Sequence, residues 1–371
     1  MKHVFVFIEV FGCEGGIQSY IQDVLSAYEQ LATEPEARNR LSADVFLLRD
    51  PNSALPRRSE CFTYHSCKSV HPVLERVRLT LALALRLIRD RPDRVFCGHI
   101  NLAALVSPLC ALLNIPYTLL TYGKEVWYEL PASEKKAMQR ADRIWTISRY
   151  SRDLAGKANQ VPNEKFDLLP CVVDGSVFTP GPAPDALVQR YELQNAPVLM
   201  TVARLWAGDI YKGVDVTIRA LPDIAQAFPQ VKYLVIGRGD DQPRLAQLAD
   251  DLGVADRVIF AGFVPDQALI DHYRLASVYV MPSQEGFGIV YLEAMACGVP
   301  VIAGDSDGSA DPLQDGRLGW QVPHREAQAV ATACITALTG ADQRCNRTWL
   351  RAESLSSFGA TVLRQRLREL L

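Results

Sequence analysis

Two glutamates flank a glycine-rich turn in the run Ser283-Gln284-Glu285-Gly286-Phe287-Gly288-Ile289-Val290-Tyr291-Leu292-Glu293-Ala294-Met295-Ala296-Cys297-Gly298. The run follows an apolar strand, Val278–Met281, and predicts a helix that starts between Phe287 and Ile289 and stops at Gly298. Glycines at a helix start let a ligand approach the backbone, and the unpaired N–H groups there favour an anion such as phosphate. On one regular helix Glu285 and Glu293 would stand about 12 Å apart, so they point at different parts of one extended ligand. A carboxylate beside a phosphate site repels it unless it binds hydroxyl groups instead. A ligand with both a diphosphate and sugar hydroxyls removes that conflict. For either glutamate, the alternative of a carboxylate that only complements the helix dipole stays open.

Other motifs fall at strand ends. Val202-Ala203-Arg204-Leu205 is followed by Tyr211-Lys212-Gly213. Two cations there suit a leaving diphosphate, whose charge grows as a glycosidic bond breaks; a solvated surface pair is the competing reading. Gly15 and Gly16 follow the first strand in Glu14-Gly15-Gly16-Ile17 and allow a tight turn with close backbone approach. Gly237-Arg238-Gly239-Asp240-Asp241 begins like a dinucleotide fingerprint, but Gln242 stands where its last glycine belongs. Tyr122-Gly123 follows the strand Tyr117–Thr121. Asp305-Ser306-Asp307-Gly308 reads as a turn after Val301–Ala303 that needs no metal.

Short β-branched runs alternate with amphipathic segments of helical length, which implies parallel sheets covered by helices on both faces. The expected class is α/β, with two doubly wound, Rossmann-like domains, since 371 residues suit two units. The prolines and glycines of 173–197 mark the join. Net charge is −3, so bulk charge offers no pull toward nucleic acid. Nine scattered cysteines form neither a disulfide framework nor a zinc pattern, and a reducing, cytoplasmic compartment is the simplest reading. Residues 57–94, from Arg57 and Arg58 to Arg94, carry nine basic against four acidic residues around the amphipathic Val73–Ile88. Such a segment either lies on an anionic membrane or packs as a helix with a solvated face.

The 283–300 run resembles the E-x7-E signature of retaining GT-B glycosyltransferases of the glycosyltransferase family 4 type. The likeness includes Gly286-Phe287-Gly288, Leu-Glu-Ala-Met-Ala and Gly-Val-Pro-Val, and it extends over nearly the whole chain. It implies a GT-B fold: 1–172 as the acceptor-side domain, 173–350 as the nucleotide-sugar domain, and 351–371 as a closing helix that returns to the first domain. It implies that Glu293 holds ribose hydroxyls and Glu285 those of the donor sugar. Arg204, Lys212 and the N–H groups of Gly288, Ile289 and Val290 would stabilise the departing diphosphate. Gly15, Gly16, Gly237, Gly286 and Phe287 would complete the donor site.

The family commonly carries His-Gly where this chain has Tyr122-Gly123. A phenol with a reference pKa near 10 replaces the imidazole; it can donate a hydrogen bond to a sugar hydroxyl. His99 is either structural or supplies part of the missing function. The family's Gly-Gly-x-Pro-Glu stretch is replaced by Gly308-Ser309-Ala310-Asp311-Pro312. The implied activity is metal-independent, cofactor-free hexosyl transfer from GDP-mannose or UDP-glucose to a sugar or lipid-linked acceptor, on the inner face of a membrane where the acceptor is a lipid. No carboxylate nucleophile is well placed, so retention by same-face attack is expected, through an oxocarbenium-like transition state. A sugar-nucleotide epimerase, a phosphorylase and a non-catalytic sugar-nucleotide binder are the alternatives.

Overall fold

The computed structural model describes residues 1–34, 41–56 and 59–371. Arg57 and Arg58 of the basic segment lie outside the described residues. The chain forms two units, Met1–Val172 with Ala360–Leu371, and Val173–Gly359.

The first unit holds a seven-stranded sheet: β1 (Lys2–Phe7), β2 (Ser42–Leu47), β3 (Phe62–Ser66), β4 (Arg94–Cys97), β5 (Tyr117–Thr121), β6 (Arg143–Thr146) and β7 (Phe166–Leu168). Its order is β3-β2-β1-β4-β5-β6-β7, and every pairing is parallel. Helices α1 (Gly16–Thr33), α2 (Pro72–Asp90), α3 (Ile100–Leu113), α4 (Ala132–Arg140) and α5 (Arg149–Asn159) connect the strands.

The second unit opens with a short α6 (Asp185–Arg190). It is built on β8 (Val198–Val202), β9 (Lys232–Ile236), β10 (Val258–Gly262), β11 (Val278–Met281), β12 (Val301–Gly304) and β13 (Trp320–Val322). Its sheet, also parallel, runs β10-β9-β8-β11-β12-β13. The helices are α7 (Val214–Ala227), α8 (Gln242–Asp251), α9 (Asp266–Tyr273), α10 (Ile289–Ala296), α11 (Ala327–Thr339) and α12 (Arg347–Phe358); α13 (Ala360–Leu370) belongs to the first unit.

The inner strands read as continuous apolar runs because helices cover both faces: β11, Val-Tyr-Val-Met, is buried throughout. In each sheet the order reverses beside one strand, at β1/β4 and at β8/β11. Ligand crevices of open α/β sheets lie outside the carboxyl ends of the strands at such points.

Three local outcomes differ from the sequence reading. The first apolar run continues to Val10, yet β1 stops at Phe7. The N–H groups of Val10, Phe11 and Gly12 turn away to the buried Asp50 carboxylate, at 2.7, 2.7 and 2.6 Å. Strands β2 and β3 escape sequence detection because Ser42, Asp44, Thr63 and His65 interrupt their apolar character. Residues 351–371 are two helices rather than one: α12 packs on α10, the backbone extends at Gly359, and α13 packs on α1.

Candidate functional site

The loops that leave β8 and β11 meet at the second sheet's switch point. After β8 comes Arg204, with a guanidinium nitrogen 3.1 Å from Asp209 and its carbon 4.8 Å from the centre of the Trp206 ring. The longer loop that follows is a 3-10 turn, Ala207–Lys212. It ends at Gly213, whose φ of +74° and close approach demand glycine, since a Cβ would lie 2.5 Å from the Pro282 carbonyl oxygen. The Gln284 N–H donates to the Tyr211 carbonyl at 3.2 Å. Together these contacts bring the Lys212 ammonium into an ion pair with the Glu285 carboxylate, 73 residues away in sequence.

Both side chains are more than four-fifths buried. Burial by itself would depress the Lys212 ammonium; the adjacent Glu285 carboxylate and the Tyr211 hydroxyl more than offset this, and its pKa stands above the ordinary lysine value. Lys212 therefore stays charged across the neutral range.

Helix α10 begins after Gly288, which sits in the left-handed region at φ +88°. A Cβ there would strike the Tyr291 ring at 2.3 Å, so only glycine fits. The N–H groups of Ile289 and Val290 occupy the helix's first turn, where no intrahelical acceptor exists. Glu293 accepts a hydrogen bond from the Tyr273 hydroxyl of α9 at 2.6 Å, which orients its carboxylate. Phe287 is buried, with its ring 5.7 Å from that of Phe358, so it anchors the loop to α12 rather than presenting an open face. Gly286 stacks against Gly308, where a Cβ would lie 2.0 Å from the Gly286 carbonyl oxygen. At the β9 exit, Gly237 has φ +136° and a Cβ would overlap the Ala203 carbonyl oxygen at 1.8 Å, so its glycine serves the approach to the β8 loop.

One acidic residue here was not legible as a site residue. Asp307, read from sequence as part of a turn, is buried at 3% exposure, and its carboxylate accepts the Glu285 N–H at 2.6 Å. An Asp before Gly-Ser was the available signal: its side chain caps the 3-10 turn Gly308–Ala310 by accepting the Ser309 N–H.

In the first unit, Gly15 and Gly16 start α1 at an exposed position, and neither adopts a backbone conformation reserved for glycine. Tyr122 is buried, its hydroxyl donates to the Gly98 carbonyl at 2.6 Å, and its N–H donates to Glu125 at 2.5 Å. Burial drives the phenol well above its ordinary pKa. Its proton is therefore committed to the turn after β4 rather than offered to a sugar. His99 caps α3 by accepting the Asn101 N–H at 3.1 Å, and burial lowers its pKa; its role here is structural. Among the described residues, no group of three or more His, Cys, Asp or Glu side chains is disposed to hold a metal ion.

The chain thus has two doubly wound units, one carrying a cation–carboxylate pair and a glycine-led helix at its switch point. The sequence profile of "Glycosyl transferases group 1" matches residues 196–340. A GDP-mannose-dependent alpha-(1-6)-phosphatidylinositol monomannoside mannosyltransferase of Mycolicibacterium smegmatis is 37% identical over 256 residues, 65% of this chain and 66% of that protein. The enzyme of the same name from Mycobacterium tuberculosis is 34% identical over 288 residues, covering 72% and 74% of the two chains. Among solved structures, Anabaena Alr3699/HepE in complex with UDP aligns with a TM-score of 0.80 at 20% identity over 100% of this chain and 99% of that one. The chain belongs to the group 1 glycosyltransferases and has the GT-B fold. It is a glycosyltransferase.

Proposed function

We propose that this enzyme transfers a mannosyl unit from GDP-mannose to a mannosylated phosphatidylinositol-type lipid, with retention of configuration and without a metal ion. The Lys212–Glu285 pair at the β8/β11 switch point is the observation that carries the reading, and the names of the relatives supply donor and acceptor class. The diphosphate sits against Arg204, Lys212 and the first N–H groups of α10, where its negative charge meets fixed positive charge. Glu285 holds hydroxyls of the donor sugar and Glu293 those of the ribose. As the bond between the sugar C1 and the diphosphate oxygen breaks, its electron pair passes to that oxygen and Lys212 stabilises the growing charge. The acceptor hydroxyl attacks C1 from the same face and loses its proton to the departing phosphate. Tyr122 takes no part in the proton transfer.

The expected measurement is transfer of labelled mannose from GDP-mannose to phosphatidylinositol monomannoside, unaffected by EDTA and yielding the α-anomer. GDP at 100 times its Kd should stabilise the protein by about 2.7 kcal/mol, and UDP and ADP by much less. Turnover of UDP-glucose with none of GDP-mannose would overturn the donor assignment.

A lipid acceptor requires that the enzyme reach a bilayer, and α2 supplies the surface. Its core-facing stripe is Leu79, Leu83 and Leu87, all fully buried. A second apolar stripe faces solvent: Val73, Leu74, Val77, Leu81, Leu85 and Ile88, each between 46% and 69% exposed. On a helical wheel these six fall within about a third of the circumference, with the exposed Arg78 and Arg89 along one border. An apolar stripe edged by arginines fits the interface of an anionic membrane at the cytoplasmic face. Among the described residues, no helix is long and apolar enough to cross a membrane.

Sedimentation with phosphatidylglycerol-containing vesicles is expected to retain the protein, and phosphatidylcholine vesicles to retain far less. The double variant Leu81→Glu/Leu85→Glu removes two side chains, each worth about 1.5–3 kcal/mol when fully buried, so partitioning should fall more than tenfold. Unchanged partitioning, or a concentration-dependent dimer that ignores vesicles, would take this stripe away from the membrane.

A further inference from the structure

Beneath the Glu285 loop, three hydrogen-bond donors converge on the Asp307 carboxylate. One oxygen, Oδ2, accepts the Glu285 N–H at 2.6 Å. The other, Oδ1, accepts the Ser309 N–H at 2.8 Å and the Ser309 hydroxyl. The next residue completes the clasp, because the Gly308 N–H donates to the Glu285 carbonyl at 2.8 Å. Glu285 is thus gripped by its own N–H and C=O from one dipeptide, Asp307-Gly308. The grip requires near contact between backbones, since a Cβ at Gly308 would lie 2.0 Å from the Gly286 oxygen and 3.0 Å from that of Glu285.

We infer that Asp307 is a positioning residue: its carboxylate fixes the Glu285 backbone so that the Glu285 side chain meets Lys212 and the donor sugar in one geometry. The inference rests on the reading above that Glu285 contacts the donor sugar. A carboxylate is needed because the Glu285 and Ser309 N–H groups fall on different oxygens, so both must accept. An asparagine keeps the shape but sets an amide N–H₂ against one of the donors, and the clasp opens on that side.

Protonation does what the asparagine does. Burial pushes the Asp307 carboxyl up to about 6. The bonds from Ser309 and Glu285 act to lower it, and the nearby Glu285 carboxylate adds to the rise. Among the described residues, the Tyr291 phenol of α10 also faces it and is itself raised by burial and by Asp307. Below pH 6 one oxygen takes a proton, ceases to accept as before, and the Glu285 loop loosens. Turnover should therefore fall as pH drops through about 6. The stability contribution runs the opposite way. A carboxyl raised from the ordinary aspartate value of 3.8 to about 6 binds more protons in the folded than in the unfolded chain between those values. Its contribution to stability thus declines as pH rises from about 4 to 6. An activity limb and a stability limb of opposite sign separate positioning from simple structural support.

The test is the pH dependence of kcat, donor KM and melting temperature for the wild type, Asp307→Asn and Ser309→Ala, with Glu285→Gln alongside. Misplacing a reacting group by a fraction of an ångström to an ångström costs on the order of tenfold to a hundredfold. Asp307→Asn should lose that much in kcat, keep its donor KM within about threefold, and lack the acid limb near pH 6. Ser309→Ala deprives the charged carboxylate of one donor and should move the limb to higher pH. The inference is overturned by wild-type kcat in Asp307→Asn or by a limb that persists in it. If Asp307→Asn does not fold, an unmoved limb in Ser309→Ala overturns it. Wild-type turnover in Glu285→Gln sinks the underlying reading of Glu285, whereas an inactive Glu285→Gln beside an unimpaired Asp307→Asn sinks this inference alone.

Discussion

Glu285→Gln is expected to lower kcat by on the order of 10²–10³-fold, about 3–4 kcal/mol of transition-state stabilisation. The substitution keeps the side chain's shape and removes its charge. It leaves intact the two backbone bonds that hold the loop, from Glu285 N–H to Asp307 and from Gly308 N–H to the Glu285 carbonyl. The melting temperature should therefore change by only a few degrees, and steady-state transfer assays beside thermal melts read both quantities. Binding should move in the opposite direction from turnover. In the wild type, Lys212 is engaged by Glu285, and an arriving diphosphate must compete with that carboxylate for the ammonium. Without the negative charge, GDP should bind at least as tightly as to the wild type. Turnover within threefold of the wild type would remove Glu285 from the chemistry.

Lys212→Met should have the opposite binding signature. The variant withdraws a cation from the diphosphate and leaves the mostly buried Glu285 carboxylate unpaired beside it. Breaking a buried pair by removing one partner costs roughly 3–5 kcal/mol. This pair keeps about one-sixth of each side chain exposed, so the lower end of that range applies. A fall in kcat/KM of on the order of 10²-fold is expected, together with a loss of GDP affinity by calorimetry. The repulsion arises from Glu285, so the double variant Lys212→Met/Glu285→Gln should recover part of the GDP affinity that Lys212→Met loses. A double-mutant cycle measures that coupling directly. GDP affinity unchanged in Lys212→Met, or strictly additive losses in the double variant, would mean that the ion pair is incidental. Because Lys212 is raised above its ordinary pKa by Glu285, no inflexion from it should appear between pH 6 and 9 in the wild type. In Glu285→Gln the largest influence raising it is gone, burial is less opposed, and its titration should move downward.

Much of this site was legible before any fold was known. The 278–298 stretch predicts strand, glycine turn, helix and stop within 21 consecutive residues, and α10 begins at Ile289 inside the expected window. Such motifs are readable because each residue there answers to its own backbone: Gly288 is glycine because the chain turns left-handed, and Gly298 because the helix must end. Parallel sheets were legible for a related reason. Strands covered on both faces are predominantly apolar, as in β8 and β9 with one polar residue each (Thr201, Lys232) and β11 with none but the Tyr279 hydroxyl. Where a strand carried polar residues at a sheet edge, as in β3, the same rule had nothing to grip.

Composition and local pattern thus determined the α/β class, the two-unit organisation and the family motifs around Glu285 and Glu293. The tertiary structure alone decided which groups meet. The 3-10 turn carries Lys212 onto Glu285, Asp307 reaches under the loop before it, and Asp50 ends β1 early. The Tyr122 hydroxyl is spent on Gly98, and one of two apolar stripes on α2 is left facing water. The division follows from range. A residue's type constrains its own dihedral angles and its neighbours three or four positions away. Burial and charge pairing are set by whichever distant segments the sheet order lays beside it.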